Sequence, residues 1–271
     1  MRVSVILAGS LLALAACRPG NYIDARGPRF VGGPAINDQN GRNPDTLVVG
    51  SFNIAFSRQI DSAIAVLRSD SVLRRADILL LQEMDDDGTR RVAEAMHMRY
   101  VYYPAIRHYR TKRDFGNAIL SAWPIESDAK VILPHTSRYA RTQRIATAAT
   151  IVVGGRRIRV YSTHLSTIAD AGTSSRRNQL RAIAADAEGF PFVILGGDLN
   201  SRSAGESLPL IGYSWPTADG PRTTLGGRWD HVFLKGLEAG ATGTIGDARR
   251  ASDHKPVWVV IKVKEKEAAR S

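Results

Sequence analysis

From Thr46 onward the sequence returns again and again to short apolar runs rich in β-branched residues, with few helical patterns between them. TLVVGSFNIAF (46–56), ADILLLQEM (76–84), YVYYPAI (100–106), NAILSAW (117–123), KVILPH (130–135) and IATAATIVV (145–153) each have the length and composition of a buried strand. GGRR at 154–157 makes a tight turn into IRVYSTHL (158–165), which predicts a β-hairpin. PFVILGGDLN, RWDHVFL and HKPVWVVIKV complete the series. Helical spacing is confined to 58–75, to GTRRVAEAMHM and to SSRRNQLRAIAADAEG (174–189), the last opened by serines and closed by Gly189. Many strands and few helices, in no regular βαβ rhythm, predict stacked sheets with helices outside.

The N-terminus is of another kind. Met-Arg precedes VSVILAGSLLALAA (3–16), which is short of the ~20 residues a transmembrane helix needs and reads as a secretory signal peptide. Leu14-Ala15-Ala16-Cys17 resembles a bacterial lipobox, with the chain's one cysteine at the position that becomes lipidated. Residues 18–45 are rich in Gly, Pro and Asn and lack an apolar period. The expected division is therefore a signal peptide over 1–16, a lipidated Cys17 and flexible tether over 17–45, and a folded domain over 46–265. The expected location is the bacterial cell envelope, lipid-anchored on the periplasmic side. Arg18 in place of Asp after the cysteine favours the outer membrane. KVKEKEAARS reads as a solvated end.

A single cysteine excludes an intrachain disulfide and a thiolate zinc site, so packing alone must hold the 271-residue chain. Lys and Arg number 37 against 26 Asp and Glu, a formal charge of +11, which points to polyanionic or phosphorylated partners.

Polar groups stand repeatedly where an apolar run ends. Asn53 interrupts SFNIAF, Glu83 ends LLLQE, His164 ends VYSTH, and Asp198 and Asn200 end VILGGDLN. Asp230 precedes HVFL, and Asp253 and His254 lead into the last run. Any one of these suits a solvated loop, and Asp198 alone suits a turn or helix cap. Drawn from six strand ends, they can converge on one rim of a sandwich.

SFNI, LLLQEM, GNAILS, STHL, GGDLN, WDHVF and SDHKPV stand in the order found in the endonuclease/exonuclease/phosphatase superfamily, which the chain resembles from about Thr46 to Val263. The resemblance implies a four-layer α/β sandwich, two mixed β-sheets face to face and flanked by helices. It implies a metal-dependent phosphoesterase and in-line attack of water. Mg²⁺, with Mn²⁺ or Ca²⁺ as substitutes, would be held by Glu83 with Asn53 and Asp253, since hard cations take oxygen ligands. His254 would stabilise phosphoryl charge or act as general base, with Asp230 holding its ring. Asp198 would align or deprotonate water, Asn200 would donate to a phosphate oxygen, and His164 would be the general acid.

The same resemblance narrows the branch. His164 in STHL sets apart the AP endonucleases, which lack it. Trp229-Asp230-His231 stands where inositol polyphosphate 5-phosphatases carry Trp-Cys-Asp-Arg. A phosphodiester is the expected substrate, nucleic acid ahead of a phospholipid headgroup, and a monomer is expected. The alternatives are a phospholipid-directed enzyme, sphingomyelinase-like or an inositol-phosphate phosphatase, and a non-catalytic envelope lipoprotein that binds phosphorylated ligands.

Two basic stretches are candidates for the substrate phosphates. YYPAIRHYRTKRDFG (102–116) gathers Arg107, Arg110 and Arg113 among tyrosines, and Arg144 closes the second stretch after Arg138 and Arg141. Asp85-Asp86-Asp87-Gly88 lacks the ligand spacing of an EF-hand. His97 and His108 have no second ligand at metal spacing.

Overall fold

The structure, a computed structural model, describes residues 20–34, 42–108 and 111–263. The segment expected to be a signal peptide, Cys17, Arg110 and residues 264–271 lie outside the described residues.

Two mixed sheets face each other. The larger orders β1 (Gly20–Asn21), β5 (Arg99–Arg107), β6 (Asp114–Ser121), β4 (Ile78–Met84), β3 (Thr46–Asn53), β13 (Val257–Lys262) and β12 (Glu238–Thr244), and β2 (Phe30–Gly32) also pairs with β5. The smaller orders β11 (Asp230–Lys235), β10 (Val193–Asp198), β9 (Arg156–His164), β8 (Ile145–Val153) and β7 (Ile125–Ile132). Pairing is parallel between β3 and β4 and between β9 and β10, and antiparallel elsewhere.

Alternation along the smaller sheet explains the layering. Val160, Ile194 and Val232 join the core between the sheets. Their neighbours Tyr161, Val193, Leu195 and Phe233 belong to a second core under helix α3 (Thr173–Asp186), which contributes Leu180 and Ile183. On the larger sheet, α1 (Ile60–Ser69) buries Ile60, Ala63 and Leu67, and α2 (Asp86–Ala95) buries Val92 and Ala93. A short α4 (Arg202–Gly205) follows β10. The predicted sandwich is therefore observed. Among the described residues no helix is long and apolar enough to cross a membrane.

The start of the fold is corrected. Gly20–Asn21 and Phe30–Gly32 are not tether: they pair with β5 and extend the larger sheet. Backbone pairing needs no apolar period, so a Gly/Pro-rich arm can dock without announcing it. Side chains reinforce the arm, with Arg29 on Asp128 at 2.6 Å and the Tyr22 hydroxyl donating to Asp114 at 2.8 Å.

Candidate active site

Parallel and antiparallel pairing bring the ends of β3, β4, β9 and β10 and the start of β11 to one rim. Asp198 stands in register with His164 on one side and Asp230 on the other. Gly197 makes that row possible: with φ at 146° it presses against the Thr163 backbone where a Cβ would collide. Glu83 sits at an irregularity between Gln82 and Met84, with φ at 57°. This bulge lifts its side chain out of the strand alternation and aims it along the rim. Ala55, Phe56, Ser57 and Asn200 also have positive φ, so backbone strain is concentrated around the cluster.

Asp198 is the hub. Its Oδ1 accepts from the Asn200 N–H at 2.8 Å, and its Oδ2 accepts from Asn53 Nδ2 at 3.0 Å. The same Oδ2 lies 3.4 Å from His164 Nε2 and 3.7 Å from His254 Nε2. Burial, and then the neighbouring Asp230, push the Asp198 carboxyl up from its ordinary range. Asn53 also donates to Glu83 Oε1 at 3.3 Å, while Glu83 Oε2 accepts the Phe56 N–H at 3.1 Å. Burial raises Glu83 too, against the Asn53 hydrogen bond and the positive charges of Arg144 and His254.

The two histidines differ in state. Burial disfavours a charge on His254, but Asp230, 2.9 Å from its Nδ1, outweighs this and holds the ring's pKa up at about 10. His164 stands farther from its carboxylates, with Asp198 3.4 Å from Nε2 and Glu83 3.8 Å from Nδ1. Burial, with the charges of Arg144 and His254, holds it well below 6.5, and its Nδ1 is buried without a hydrogen bond. Of the two roles implied for His254, a base at neutral pH does not suit a ring that is already protonated, whereas charge stabilisation does. His164 is neutral, so it can donate a hydrogen bond but is not a ready source of a proton.

This state predicts a pH dependence. A pKa raised above the unfolded value of ~6.5 contributes stability that is fully present below about pH 6.5 and is lost as pH rises through about 10. Urea unfolding of the protein should therefore show stability falling by a few kcal/mol between pH 7 and 10.5, at ~1.4 kcal/mol per pKa unit. In Asp230→Asn most of that fall should disappear.

Arg144 completes the cluster. It is buried, it feels the charges of Glu83 and Asp198, and its guanidinium lies 5.9 Å from the centre of the Phe115 ring. Among the described residues it has no salt-bridge partner, and its Nε is unsatisfied. Asp253 is exposed and lines a cleft of about 380 Å³ with Glu83. Arg58, Arg249 and Arg250 rim this cleft.

Arg107 and Arg113 are not brought to the cluster. They line a separate cleft with Asp85, Asp86, Asp87, Lys112 and Asp114, and Arg113 is neutralised by an ion pair with Asp85. Asp85 also caps α2 by accepting from the Gly88 N–H. Sequence reasoning missed two positioning hydroxyls. Ser252 Oγ donates to the Asn53 carbonyl at 2.7 Å and accepts from the His254 N–H at 3.0 Å. Thr223 Oγ1 accepts the Trp229 and Asp230 N–H groups.

Two groups of residues could hold a cation. Ligand atoms of Asp198, Asp230 and His254 lie within 4.8 Å of one another, a buried set that could hold a metal. In that set His254 Nδ1 already faces Asp230 at 2.9 Å. Glu83 with Asp253 offers only oxygen, the donor that Mg²⁺ prefers, and a raised buried carboxylate beside a cleft is stabilised by a cation; Asn53 turns its Nδ2 to Glu83 and its Oδ1 to the Ala55 N–H, and so orients the carboxylate rather than adding an oxygen.

The sequence pattern of the Endonuclease/Exonuclease/phosphatase family matches residues 50–254. The fold is similar to that of an endonuclease/exonuclease/phosphatase from Bacteroides vulgatus, with TM-score 0.66 and 14% identity over 81% of this chain and 99% of that one. It is similar to one from Beutenbergia cavernae, with TM-score 0.64 and 19% identity over 80% and 72%. It is also similar to D. rerio TDP2 complexed with single strand DNA product, with TM-score 0.64 and 17% identity over 80% and 99%. Comparison with curated proteins gives no match. The family pattern begins at β3 and ends on His254, and so takes in every residue of the rim cluster: this chain belongs to the endonuclease/exonuclease/phosphatase family.

Proposed function

We propose that the protein is a divalent-metal-dependent phosphodiesterase, held at the bacterial cell envelope by lipid on Cys17, that cleaves nucleic acid by in-line attack of water. The observation that carries the phosphoester reading is Arg144. A buried guanidinium that, among the described residues, feels the charges of Glu83 and Asp198 but forms no salt bridge with them suits a ligand that is itself anionic.

In this reading Arg144 and protonated His254 hold the phosphoryl oxygens and stabilise the charge that grows on them. Asp230 keeps His254 protonated and oriented. Asp198, whose carboxyl is raised toward the range in which it can exchange a proton, aligns the attacking water and accepts its proton. Asn53 and Asn200 fix the two oxygens of Asp198, and His164 donates a hydrogen bond from Nε2. A divalent cation on Glu83 and Asp253 would supply further charge neutralisation at the phosphoryl group. The rim arginines Arg58, Arg249 and Arg250 suit a substrate with more than one phosphate, as nucleic acid is, and TDP2 is a similar fold recorded with DNA.

The test is turnover by the protein on single-stranded DNA, RNA, sphingomyelin, phosphatidylinositol and inositol phosphates. With Mg²⁺ the nucleic acids should be cleaved fastest, and EDTA should lower the rate by about 10²-fold or more. No turnover on any of the five would contradict the enzymatic reading and favour the phospho-ligand-binding one. A faster rate on sphingomyelin or phosphatidylinositol would move the substrate to the phospholipid headgroup.

A further inference from the structure

The N-terminal arm enters the fold on the rim that carries the cluster. β1 pairs with the C-terminal end of β5, Gly20 opposite Arg107 and Asn21 opposite Ile106. Both β5 and β4 run antiparallel to β6, so that end of β5 is the end of β4 that carries Glu83. Asn21 then clasps the smaller sheet: its Nδ2 donates to the Arg141 carbonyl at 2.8 Å, and its Oδ1 accepts from the Gln143 N–H at 2.9 Å. Gly20 is thus fixed beside the connection between β7 and β8, which ends at Arg144.

That connection is tied to the next one. The Arg138 N–H donates to the carbonyl of Asp170, in the segment that follows His164. Two large apolar side chains stand out from the joined loops, Tyr139 at 74% and Ile168 at 59% exposure. Arg138 and Arg141 beside Tyr139 are exposed as well, while Arg107, opposite Gly20, shares its cleft with Asp85, Asp86, Asp87 and Asp114. An aromatic and an aliphatic tip among guanidinium groups is the composition of a surface that sits in the headgroup layer of a bilayer.

We propose that this rim, led by Tyr139 and Ile168, is the face the protein lays on an anionic phospholipid bilayer. The chain that precedes it sets the distance. Cys17 stands three residues before Gly20, and three extended residues span at most about 10 Å. A lipid on Cys17 therefore leaves the domain no room to turn its rim away. At that distance the guanidinium groups lie within the ~8–10 Å over which charged lipids attract them. The proposal rests on the lipid-anchor reading of Cys17 in the proposed function, and because the same rim carries the cluster it favours the phospholipid-headgroup outcome of that reading's substrate test over nucleic acid.

The test uses the full chain, matured in a bacterium that processes lipoproteins and reconstituted in vesicles of phosphatidylcholine and phosphatidylglycerol. Mass analysis first establishes the state of Cys17, since an acylated Cys17 presents no free thiol. Tyr139→Cys, Ile168→Cys and, at the far end of β9, Arg157→Cys then each give one site for a fluorophore. All three positions are exposed, so the substitutions should leave the fold intact. A headgroup-attached quencher should dim the label at 139 and 168 roughly threefold or more relative to the label at 157. Arg138→Glu with Arg141→Glu should remove much of that difference. Equal quenching at all three positions would overturn the proposal while leaving the phosphodiesterase reading untouched. A free thiol at Cys17 would overturn it through the anchor.

Discussion

His254→Ala should lower kcat by about 10³-fold, with KM changed far less, because in the proposed mechanism the imidazolium stabilises charge that grows only as the phosphorus is attacked. Asp230→Asn should fall in the same range. It leaves the ring in place but removes the carboxylate 2.9 Å from Nδ1 that keeps it protonated and oriented. The two losses should not add. Once the imidazole is gone Asp230 has nothing to hold, so the double variant should be little slower than His254→Ala alone. Steady-state kinetics on the best diester, with circular dichroism to show that each variant is folded, checks this. Additive losses would mean that Asp230 acts on the substrate by a route other than His254.

The second large effect is expected at the hub. Asp198→Asn keeps the size of the side chain and one oxygen, so the bond from the Asn200 N–H can survive. In the proposed mechanism it removes the group that accepts the proton of the attacking water. kcat should drop by ~10²–10⁴-fold, and raising the pH should not recover it, because an amide does not titrate in that range. The buried repulsion between Asp198 and Asp230 also disappears, which offsets part of the hydrogen bonding lost at Asn53. The thermal midpoint should therefore stay within a few degrees of the wild type. A variant that unfolds would assign Asp198 to structure, and one that retains wild-type turnover would remove it from the chemistry.

Much of this site was legible because apolar runs mark their own ends. Ile145–Val153 is bounded as its β-branched composition predicts, and Asp198 and His164 fall on the last residues of β10 and β9. The signal faded where pairing is by backbone alone. EAGATGT, which forms β12, carries no apolar alternation and is largely exposed at the sheet's edge, where Gly243 leaves room for the ring of Trp258 across the ladder. Gly20–Asn21 and Phe30–Gly32 escaped for the same reason. Helix α3 begins at Thr173 after Gly172, with no serine side chain capping it.

Charge was legible only where its partners are local. The arginines of 107–113 read as free to meet phosphate, but Asp85, far away in sequence and assigned to nothing, takes up Arg113. Arg144 has the opposite history: one of several basic residues in a loop, it becomes distinctive once its burial is known. Ser252 and Thr223 are silent in a sequence, since a hydroxyl that orders a backbone looks like any serine or threonine of a turn.

The central claim is that the rim cluster directs water onto phosphorus, and isotope transfer tests it most directly. A single turnover of the preferred diester in H₂¹⁸O with Mg²⁺ should place one ¹⁸O on the phosphoryl product and none on the released alcohol. The label on the alcohol, or on neither product, would contradict it.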